Sequence, residues 1–301
     1  MLRIALIGAG LHAGDHHLPA LLDHQLRHPG SLKISVICDK DPVRASALAA
    51  GTGAKILTDW RECLDLADAI VACVPPALTP AIARACAARN LPLLMEKPLA
   101  PTLEEAEKVV AELAGKPVMA SMNRHFDPAV TRLRECLDGR TPRLVRVTQS
   151  RVNRVEPEFL TFTGIHGVDL AVFLGGVPEG PVHRNFFTHH GAQWADLHWT
   201  SSAGTRVEVA LRPTLGQNQE RIDVAGDGWQ GEARSAWFDD GWVRWQDEIH
   251  RFPADWPVFK KAGADRETDA FLAACVGNGP WDPSPASVLV GTRILGKTPD
   301  S

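Results

Sequence analysis

The stretch RIALIGAGLHA, residues 3–13, decides the class of fold. An apolar run of strand length passes into a glycine-containing turn, and an amphipathic segment follows at once. The turn fits the pattern G-x-G-x-x-A with Gly8, Gly10 and Ala13. Gly8 permits the tight turn, Gly10 lets the backbone approach a pyrophosphate, and Ala13 keeps the helix close to the sheet. In this context the motif predicts dinucleotide binding at the helix N-terminus, with a merely structural turn as the alternative.

The first third of the chain repeats this alternation of apolar and amphipathic segments. Its strand-like runs are continuous enough to be covered on both faces, and they lie at 3–8, 32–38, 69–74, 91–95 and 117–122. The segments between them have helical spacing, and Thr102 with Glu105 matches a capping box. The order predicts a doubly wound parallel sheet, an NAD(P)-binding Rossmann domain over residues 1–122.

Beyond residue 122 the pattern changes. Alternating segments separated by Gly or Asp turns predict antiparallel strands at 144–152, 196–213, 221–233 and 236–248. Eight of the nine tryptophans lie in this part, where such rings more often fill a core or a subunit contact than bind ligand. We therefore expect an α+β domain over 123–301 with a large open, mainly antiparallel sheet. Because an open sheet needs covering, we expect a homo-dimer or homo-tetramer.

Composition and charge exclude several classes of function. A net charge of -4 and a pI near 6.3 give no electrostatic basis for binding nucleic acid or an anionic membrane. The six cysteines lack C-x-x-C or metal-type spacing, and the adjacent pairs His16-His17 and His189-His190 have no acid at ligand spacing, so no metal is expected. The start lacks the features of a secretory signal and no apolar run is long enough to span a membrane, so we expect a cytoplasmic protein with a small-molecule substrate.

Polar residues follow the predicted strands at the carboxyl edge of the sheet, where ligands bind in this class of fold. Asp39 follows the second strand, and an acid there can hydrogen-bond the ribose hydroxyls of the adenosine. A carboxylate favours NAD over NADP because it repels a 2'-phosphate, whereas Lys40 and Arg44 weaken this preference and keep NADP open. The alternative role of Asp39 is to cap the next helix, which Asp41 can do equally well.

Two further segments end strands at the same edge. The run VPP at 74–76 ends the predicted strand at 69–74, and LLMEKPLA at 93–100 ends the predicted strand at 91–95. Burying a lysine without a partner is costly, so Glu96 and Lys97 are expected to emerge at this edge instead of lying unpaired in the core.

Taken in order, the G-x-G-x-x-A start, Asp39, the V-P-P turn and E-K-P-L-A resemble the Gfo/Idh/MocA oxidoreductases, which are named for glucose-fructose oxidoreductase and inositol dehydrogenase. The resemblance continues through NRHFDPAV (123–130), GIHGVDLAVFLGG (164–176), GTRVEV (204–209) and VAGDGWQGEA (224–233). It implies an NAD(P)-dependent oxidoreductase that moves a hydride between nicotinamide and a carbinol or carbonyl carbon of a small polar metabolite, such as a sugar or polyol. It also implies that the C-terminal sheet forms the substrate site and the oligomer contact.

The resemblance assigns roles to individual residues. Lys97 matches the catalytic lysine, with Glu96 as its positioning partner, and a dry cleft would bring the pKa of such a lysine toward neutrality. His166 matches the histidine of an H-x-x-D pattern with Asp169, and its imidazole suits a proton relay in the first turn of a helix capped by Thr163. The alternatives are a surface Glu-Lys pair and a histidine that is satisfied structurally.

The residues predicted to bind the cofactor are Gly8, Gly10, Leu11, His12, Ala13, Asp39, Lys40, Val74, Pro75, Glu96 and Lys97. Those predicted to bind substrate are Asn123, Arg124, Arg151, Asn153 and Asp169. Guanidinium and amide groups near strand ends can bind a carboxylate, a phosphate or a hydroxyl-rich ligand, although solvated arginines are the alternative.

Two residues depart from the family pattern. Phe162 stands where many dehydrogenases of the family carry an acid, four residues before His166, and Thr79 replaces a histidine common after the V-P-P turn. These departures keep two other functions open. One is a non-redox, glycosidase-like enzyme that uses NAD transiently, and the other is a non-catalytic NAD-binding regulator of the same fold.

Overall fold

The computed structural model describes residues 1–238 and 240–296 of the chain. They divide into two compact units, the first formed by Met1–Asn123 with Val258–Leu289 and the second by Arg124–Pro257 with the residues from Val290. The first unit therefore includes a segment, 258–289, that the sequence alone assigned to the C-terminal domain. Sequence order cannot show that a late helix returns to pack on an earlier unit.

The sheet of the first unit is entirely parallel in the described residues, with the strand order β3-β2-β1-β4-β5-β6. Its strands are β1 (Leu2–Ile7), β2 (Leu32–Cys38), β3 (Lys55–Leu57), β4 (Ala69–Ala72), β5 (Leu93–Glu96) and β6 (Val118–Ser121). The order reverses between β1 and β4, which is the doubly wound Rossmann topology predicted from the sequence. Every residue of β4, β5 and β6 is buried, as a parallel sheet covered on both faces requires.

The helices of the described residues are α1 (Leu18–Arg27), α2 (Pro42–Ala49), α3 (Thr79–Ala88), α4 (Leu103–Glu112), α5 (Pro128–Leu137), α6 (Ile165–Gly175), α7 (Val258–Lys261), α8 (Ala264–Cys275) and α9 (Pro285–Leu295). Thr102 caps α4 by accepting a hydrogen bond from the Glu105 amide at 3.2 Å, as predicted. In the first unit α8 contacts α1 and buries Phe271, which explains why its segment belongs there.

The second unit contains an eight-stranded sheet within the described residues, with the order β14-β13-β12-β11-β7-β10-β9-β8. Its strands are β7 (Leu144–Ser150), β8 (His183–His189), β9 (Ala192–Thr200), β10 (Arg206–Arg212), β11 (Gln219–Gly226), β12 (Trp229–Arg234), β13 (Trp242–Trp245) and β14 (Glu248–Arg251). Only the β7–β10 pair is parallel, so the predicted mainly antiparallel sheet is confirmed.

Helices cover one face of this second sheet. Contacts join α6 to β7 and β10, and α5 to β12 and β13. The inward positions of β10 alternate with positions such as Arg206 and Glu208, which lie on the opposite, partly exposed face. Among the described residues, none of the helices combines the length and apolar character that crossing a bilayer requires.

Candidate active site

The glycine loop that follows β1 is fixed by close backbone packing. Gly8 has a φ of +99°, and a Cβ added to it would lie 2.0 Å from the Cys73 carbonyl oxygen. Its amide donates to the Cys38 carbonyl oxygen at 2.7 Å, which ties the loop to the end of β2. A Cβ on Gly10 would meet no protein atom within 4 Å. Gly8 is thus required by the fold, whereas Gly10 leaves its backbone open to a ligand.

Asp39, just after β2, holds the loop from the other side. Its Oδ2 accepts a hydrogen bond from the Ala9 amide at 2.8 Å, while Oδ1 accepts from the Asp41 amide at 2.9 Å and from Arg44 Nη2 at 3.0 Å. Burial alone would raise the pKa of Asp39, but the two amides and the Arg44 charge lower it below its ordinary value. The N-cap of α2 is Asp41, so the alternative role considered for Asp39 is already filled.

A cavity of about 510 Å³ opens beside this loop in the first unit. Six of the residues predicted to bind the cofactor line it, and they are Gly8, Gly10, Asp39, Lys40, Val74 and Pro75. Sequence reasoning did not single out Thr58 and Trp60, which line the same cavity after the short strand β3. Leu11, also in the predicted set, is 86% exposed.

Glu96 is buried at the end of β5, with 6% of its surface exposed. Its Oε1 lies 3.0 Å from His12 Nε2, 2.8 Å from His17 Nε2 and 2.9 Å from Ser121 Oγ. Burial would raise the pKa of Glu96, but the charges and hydrogen bonds of His12 and His17 hold it well below its ordinary value. Glu96 is therefore an internal anion, unlike the acid of a surface Glu-Lys pair, and Lys97 follows it directly.

The same cluster has the composition of a metal-binding group. The side-chain donors of His12, His17 and Glu96 all lie within 4.8 Å of one another, and two imidazoles with a carboxylate can bind zinc. No metal is expected from the sequence because no acid stands at ligand spacing from His17, and Glu96 is 79 residues away in the chain. The fold brings the two together, and the absence of a metal stays a prediction.

In the second unit, two of the predicted substrate ligands meet on one buried carboxylate. Arg124 Nε donates to Glu220 Oε2 at 2.7 Å, and Arg124 Nη2 donates to Glu220 Oε1 at 2.9 Å. Arg151 Nη2 donates to the same Oε1. The rings of Trp237 and Phe238 lie over the two guanidinium groups at 3.8 and 4.3 Å. Both arginines are buried, which does not match the alternative of solvated side chains.

Glu220, whose carboxylate binds both arginines, was not predicted from the sequence as a site residue. Burial would raise its pKa, but the charges of Arg124 and Arg151, with a smaller contribution from His166, hold it well below its ordinary value. Gln149 also donates to Glu220 at 3.1 Å. The two arginines thus share one carboxylate of the protein, and their role as substrate ligands stays a prediction.

His166 and Asp169 are both buried on α6, as the H-x-x-D spacing predicts for residues on one helix face. Asp169 Oδ2 lies 2.6 Å from His125 Nε2, and the His125 ring stacks on Phe173 at 3.8 Å. The predicted cap by Thr163 is wrong, since α6 has Gly164 at its N-cap and follows a π-helical turn, Leu160–Gly164. Of the two predicted asparagines, Asn123 is buried and Asn153 is exposed.

Comparison with known proteins gives a consistent result. Residues 2–124 match a family model, GFO_IDH_MocA, described as an oxidoreductase family with an NAD-binding Rossmann fold. The chain is 30% identical to inositol 2-dehydrogenase 2 of Paenarthrobacter aurescens over 195 aligned residues. The alignment covers 59% of this chain and 56% of that protein. The chain is 32% identical over 188 residues to inositol 2-dehydrogenase 2 of Saccharopolyspora erythraea, covering 58% and 54%. The match therefore spans about half the length of these curated relatives.

Solved structures resemble nearly the whole chain. A dehydrogenase from Chromobacterium violaceum has a TM-score of 0.87 at 19% identity and covers 98% of this chain and 93% of its own. A Gfo/Idh/MocA family oxidoreductase from Vibrio cholerae has a TM-score of 0.81 at 18% identity, with coverages of 98% and 96%. At these identities the two structures establish the fold.

Proposed function

We propose that the chain is an oxidoreductase of the Gfo/Idh/MocA family, an NAD-dependent dehydrogenase acting on a small sugar or polyol, because residues 2–124 match that family's model and curated inositol 2-dehydrogenases are similar to it. The hydride moves between the nicotinamide and a carbinol or carbonyl carbon of that substrate. The observation that carries the proposal is the edge of the parallel sheet in the first unit. There the open backbone of Gly10 and the fixed anion of Asp39 line one cavity, and β5 ends at Glu96, directly before Lys97.

The residues lining the cavity fit the cofactor part by part. The backbone at Gly10 and the helical segment that begins at Ala13 would hold the pyrophosphate. Asp39 would accept hydrogen bonds from the adenosine ribose hydroxyls, because its carboxylate is ionised and fixed by Ala9. Arg44 is already bound to Asp39, which supports NAD over NADP. When bound, the cofactor supplies the site that accepts or donates the hydride.

Lys97 is the proposed proton-transfer residue. Oxidising a carbinol to a carbonyl releases a hydride and one proton, and the hydroxyl proton needs a base. Lys97 follows the buried anion Glu96 at the carboxyl edge of the sheet, where a substrate next to the nicotinamide would lie. His166 is the second proposed residue, as relay or as hydrogen-bond donor to the substrate oxygen, on the basis of its H-x-x-D pattern.

The substrate class is proposed from the relatives and not from the pocket. Proteins named inositol 2-dehydrogenase are the curated relatives quoted above, which makes cyclic polyols the first compounds to test. Phe162, 39% exposed where many family members have an acid, favours a second candidate. In that candidate the protein binds NAD without net redox chemistry, as a glycosidase-like enzyme or as a regulator.

We also propose a cytoplasmic homo-dimer or homo-tetramer. All six cysteines are free, which suits a reducing compartment. The outer face of the second sheet carries matched charges, such as Arg146 and Glu208 at 2.8 Å, that a second copy could cover. Light scattering at micromolar protein should give a mass above that of one chain, and a monomer would contradict this part.

The test is a nicotinamide-absorbance screen of the purified protein with NAD and NADP separately, against inositols, sugars, polyols, hydroxy acids and keto acids. Binding of each cofactor is measured in parallel by calorimetry. Reduction of NAD by a polyol supports the dehydrogenase. Tight NAD binding with no turnover across the panel would favour the non-redox candidates, and the absence of NAD binding would contradict all of them.

A further inference from the structure

Two buried carboxyl groups in the first unit share a single hydroxyl. Ser121 Oγ lies 2.9 Å from Glu96 Oε1 and 3.1 Å from Glu267 Oε2. The three residues come from β5, β6 and α8, and none exposes more than 6% of its surface. Glu267 was not singled out by any sequence motif, and the proposed reaction does not use it.

Counting hydrogens at this hydroxyl requires one additional proton. A serine hydroxyl has one hydrogen, so it can donate to only one of the two carboxyl groups. If both carboxyl groups were ionised, the serine oxygen would lie about 3 Å from one of the two carboxylate oxygens with no hydrogen between them. A buried carboxylate with too few donors is costly, and two negative charges across one hydroxyl are costlier still. One of the two acids must therefore carry a proton.

The contacts of each acid identify which one holds it. Glu96 Oε1 also receives the Nε2 groups of His12 and His17, which makes Glu96 the ionised acceptor. Glu267 has only neutral donors, the Ser121 hydroxyl and the Met122 amide, and its Oε1 is buried with no hydrogen-bond partner among the described residues. Burial and the negative charge of Glu96 raise the pKa of Glu267 to about 8.

Three charged residues near Glu267 on α8, α7 and α1 are engaged with other partners. On α8 itself, Asp269 binds His24 and Arg27 of α1, and Lys260 of α7 binds Asp23. Asp265 and Arg266, next to Glu267 in the chain, are the other charged groups of this turn. The positive charge of His12 opposes the rise in the pKa of Glu267, and its effect is smaller than those of burial and of Glu96.

We propose that Glu267 is a protonated positioning residue that fixes Glu96, and through it the neighbouring Lys97, by a directed chain of hydrogen bonds. Glu267 donates to Ser121 Oγ, and Ser121 donates to Glu96 Oε1, which also accepts from His12 and His17. The protonation of Glu267 is argued from these contacts and does not depend on the enzyme's reaction. Its role in positioning Lys97, the proposed base, rests on the proposed dehydrogenase function. Loss of this proton would place a second negative charge beside Glu96 and alter both the position and the pKa of Lys97.

The proposed hydrogen bonds also limit metal binding by the cluster of His12, His17 and Glu96. His12 and His17 both present Nε2 to Glu96, and in a donor role each Nε2 carries a hydrogen and has no lone pair for a metal. Zn²⁺ could bind only by displacing both hydrogen bonds. Titration with zinc chloride should therefore leave these hydrogen bonds intact. Stoichiometric zinc binding that is lost in His17→Ala would contradict the proposed hydrogen bonds.

The proton itself is tested by infrared spectroscopy of the full-length protein labelled with ¹³C-glutamate. At neutral pH we expect a label-shifted carbonyl band of a protonated carboxylic acid, absent from Glu267→Gln and lost as the pH rises past about 8. Selective labelling excludes the buried acid Asp127 as the source. A spectrum without the band, or a band that persists in Glu267→Gln, would overturn the proposal.

The effect on Lys97 is tested without turnover, by NMR titration of ¹³Cε-lysine with the resonance assigned through Lys97→Arg. In the wild type we expect two titration steps, one of them shared with the infrared band, and a single step in both Glu267→Gln and Ser121→Ala. A single step in all three proteins would refute the coupling even if no substrate is ever found.

Activity adds a separate check once a substrate is known. Glu267→Gln, which keeps a donor, should retain kcat, whereas Glu267→Ala should lower kcat about tenfold, equivalent to one lost buried hydrogen bond, with the KM for NAD unchanged. Equal kcat values for the two variants would contradict the positioning role.

Discussion

The Ala9 amide donates a 2.8 Å hydrogen bond to the Asp39 carboxylate, so the glycine loop after β1 and the end of β2 hold each other in place. One carboxylate thereby shapes the loop and presents an anion to the cavity beside it. Asp39→Ala should weaken NAD binding about tenfold and lower the preference for NAD over NADP, because Arg44 then becomes available to a 2'-phosphate. Dissociation constants for both cofactors test this. An unchanged ratio would mean that Asp39 does not select the cofactor.

The two glycines of the loop should respond differently to alanine. Gly8→Ala should cost at least about 2 kcal/mol of unfolding free energy, because it combines positive φ with a contact to Cys73. Gly10→Ala has open space and should change stability by less than about 0.5 kcal/mol while weakening NAD binding. Urea unfolding and calorimetry of the two variants separate the effects, and similar stability losses in both would contradict the assignment.

Glu220 should be required for the stability of the second unit. Glu220→Gln removes the buried carboxylate that Arg124 and Arg151 share, and breaking such an ion pair costs about 3–5 kcal/mol. Glu208→Gln is the matched control, since its partners Arg146 and Arg206 are on the partly exposed face and the expected cost is about 0–1 kcal/mol. Chemical unfolding monitored by tryptophan fluorescence gives both values. A loss for Glu220→Gln no larger than that of the control would contradict the account.

Glu267 should make stability depend on pH in a predictable direction. Its pKa is raised by burial and by Glu96 from an ordinary value of 4.5 to about 8, so the folded state holds a proton that the unfolded state releases. This contribution is fully present below pH 4.5 and is lost as the pH rises through about 8, at up to about 1.4 kcal/mol per pH unit. Glu267→Gln should be less sensitive to pH across that window. Identical curves for the variant and the wild type would show that Glu267 is ionised at neutral pH.

Local sequence patterns were sufficient where the relevant residues lie close together in the chain. The G-x-G-x-x-A turn, the Thr102 cap and the Asp after β2 each depend on a few neighbours, and the parallel sheet follows from strand-helix alternation. Strand β3 was missed because it has three residues, two of them exposed, and so carries no apolar run. The cavity residues Thr58 and Trp60 that follow it were missed for the same reason.

Partners that are distant in sequence could not be predicted from one chain. Glu220 lies 96 residues from Arg124, and Glu267 lies 146 residues from Ser121. The sequence left open whether Arg124 and Arg151 bind a polar ligand or are solvated, and in the described structure both bind a carboxylate of the protein itself. Likewise, the sequence raised the cost of burying Lys97 without a partner, but the partners of Glu96, namely His12, His17 and Ser121, became visible only in the fold.

The most direct test of the central claim is the rate at which Lys97→Ala reduces NAD with the best polyol substrate, compared with the wild type. Lys33→Ala, an exposed lysine near the opposite end of β2, is the control. The account predicts that Lys97→Ala, measured at saturating NAD, loses at least about a hundredfold in kcat, as expected for removal of a general base, while the control is unaffected. Equal rates for Lys97→Ala and the wild type would contradict the assignment of proton transfer to Lys97.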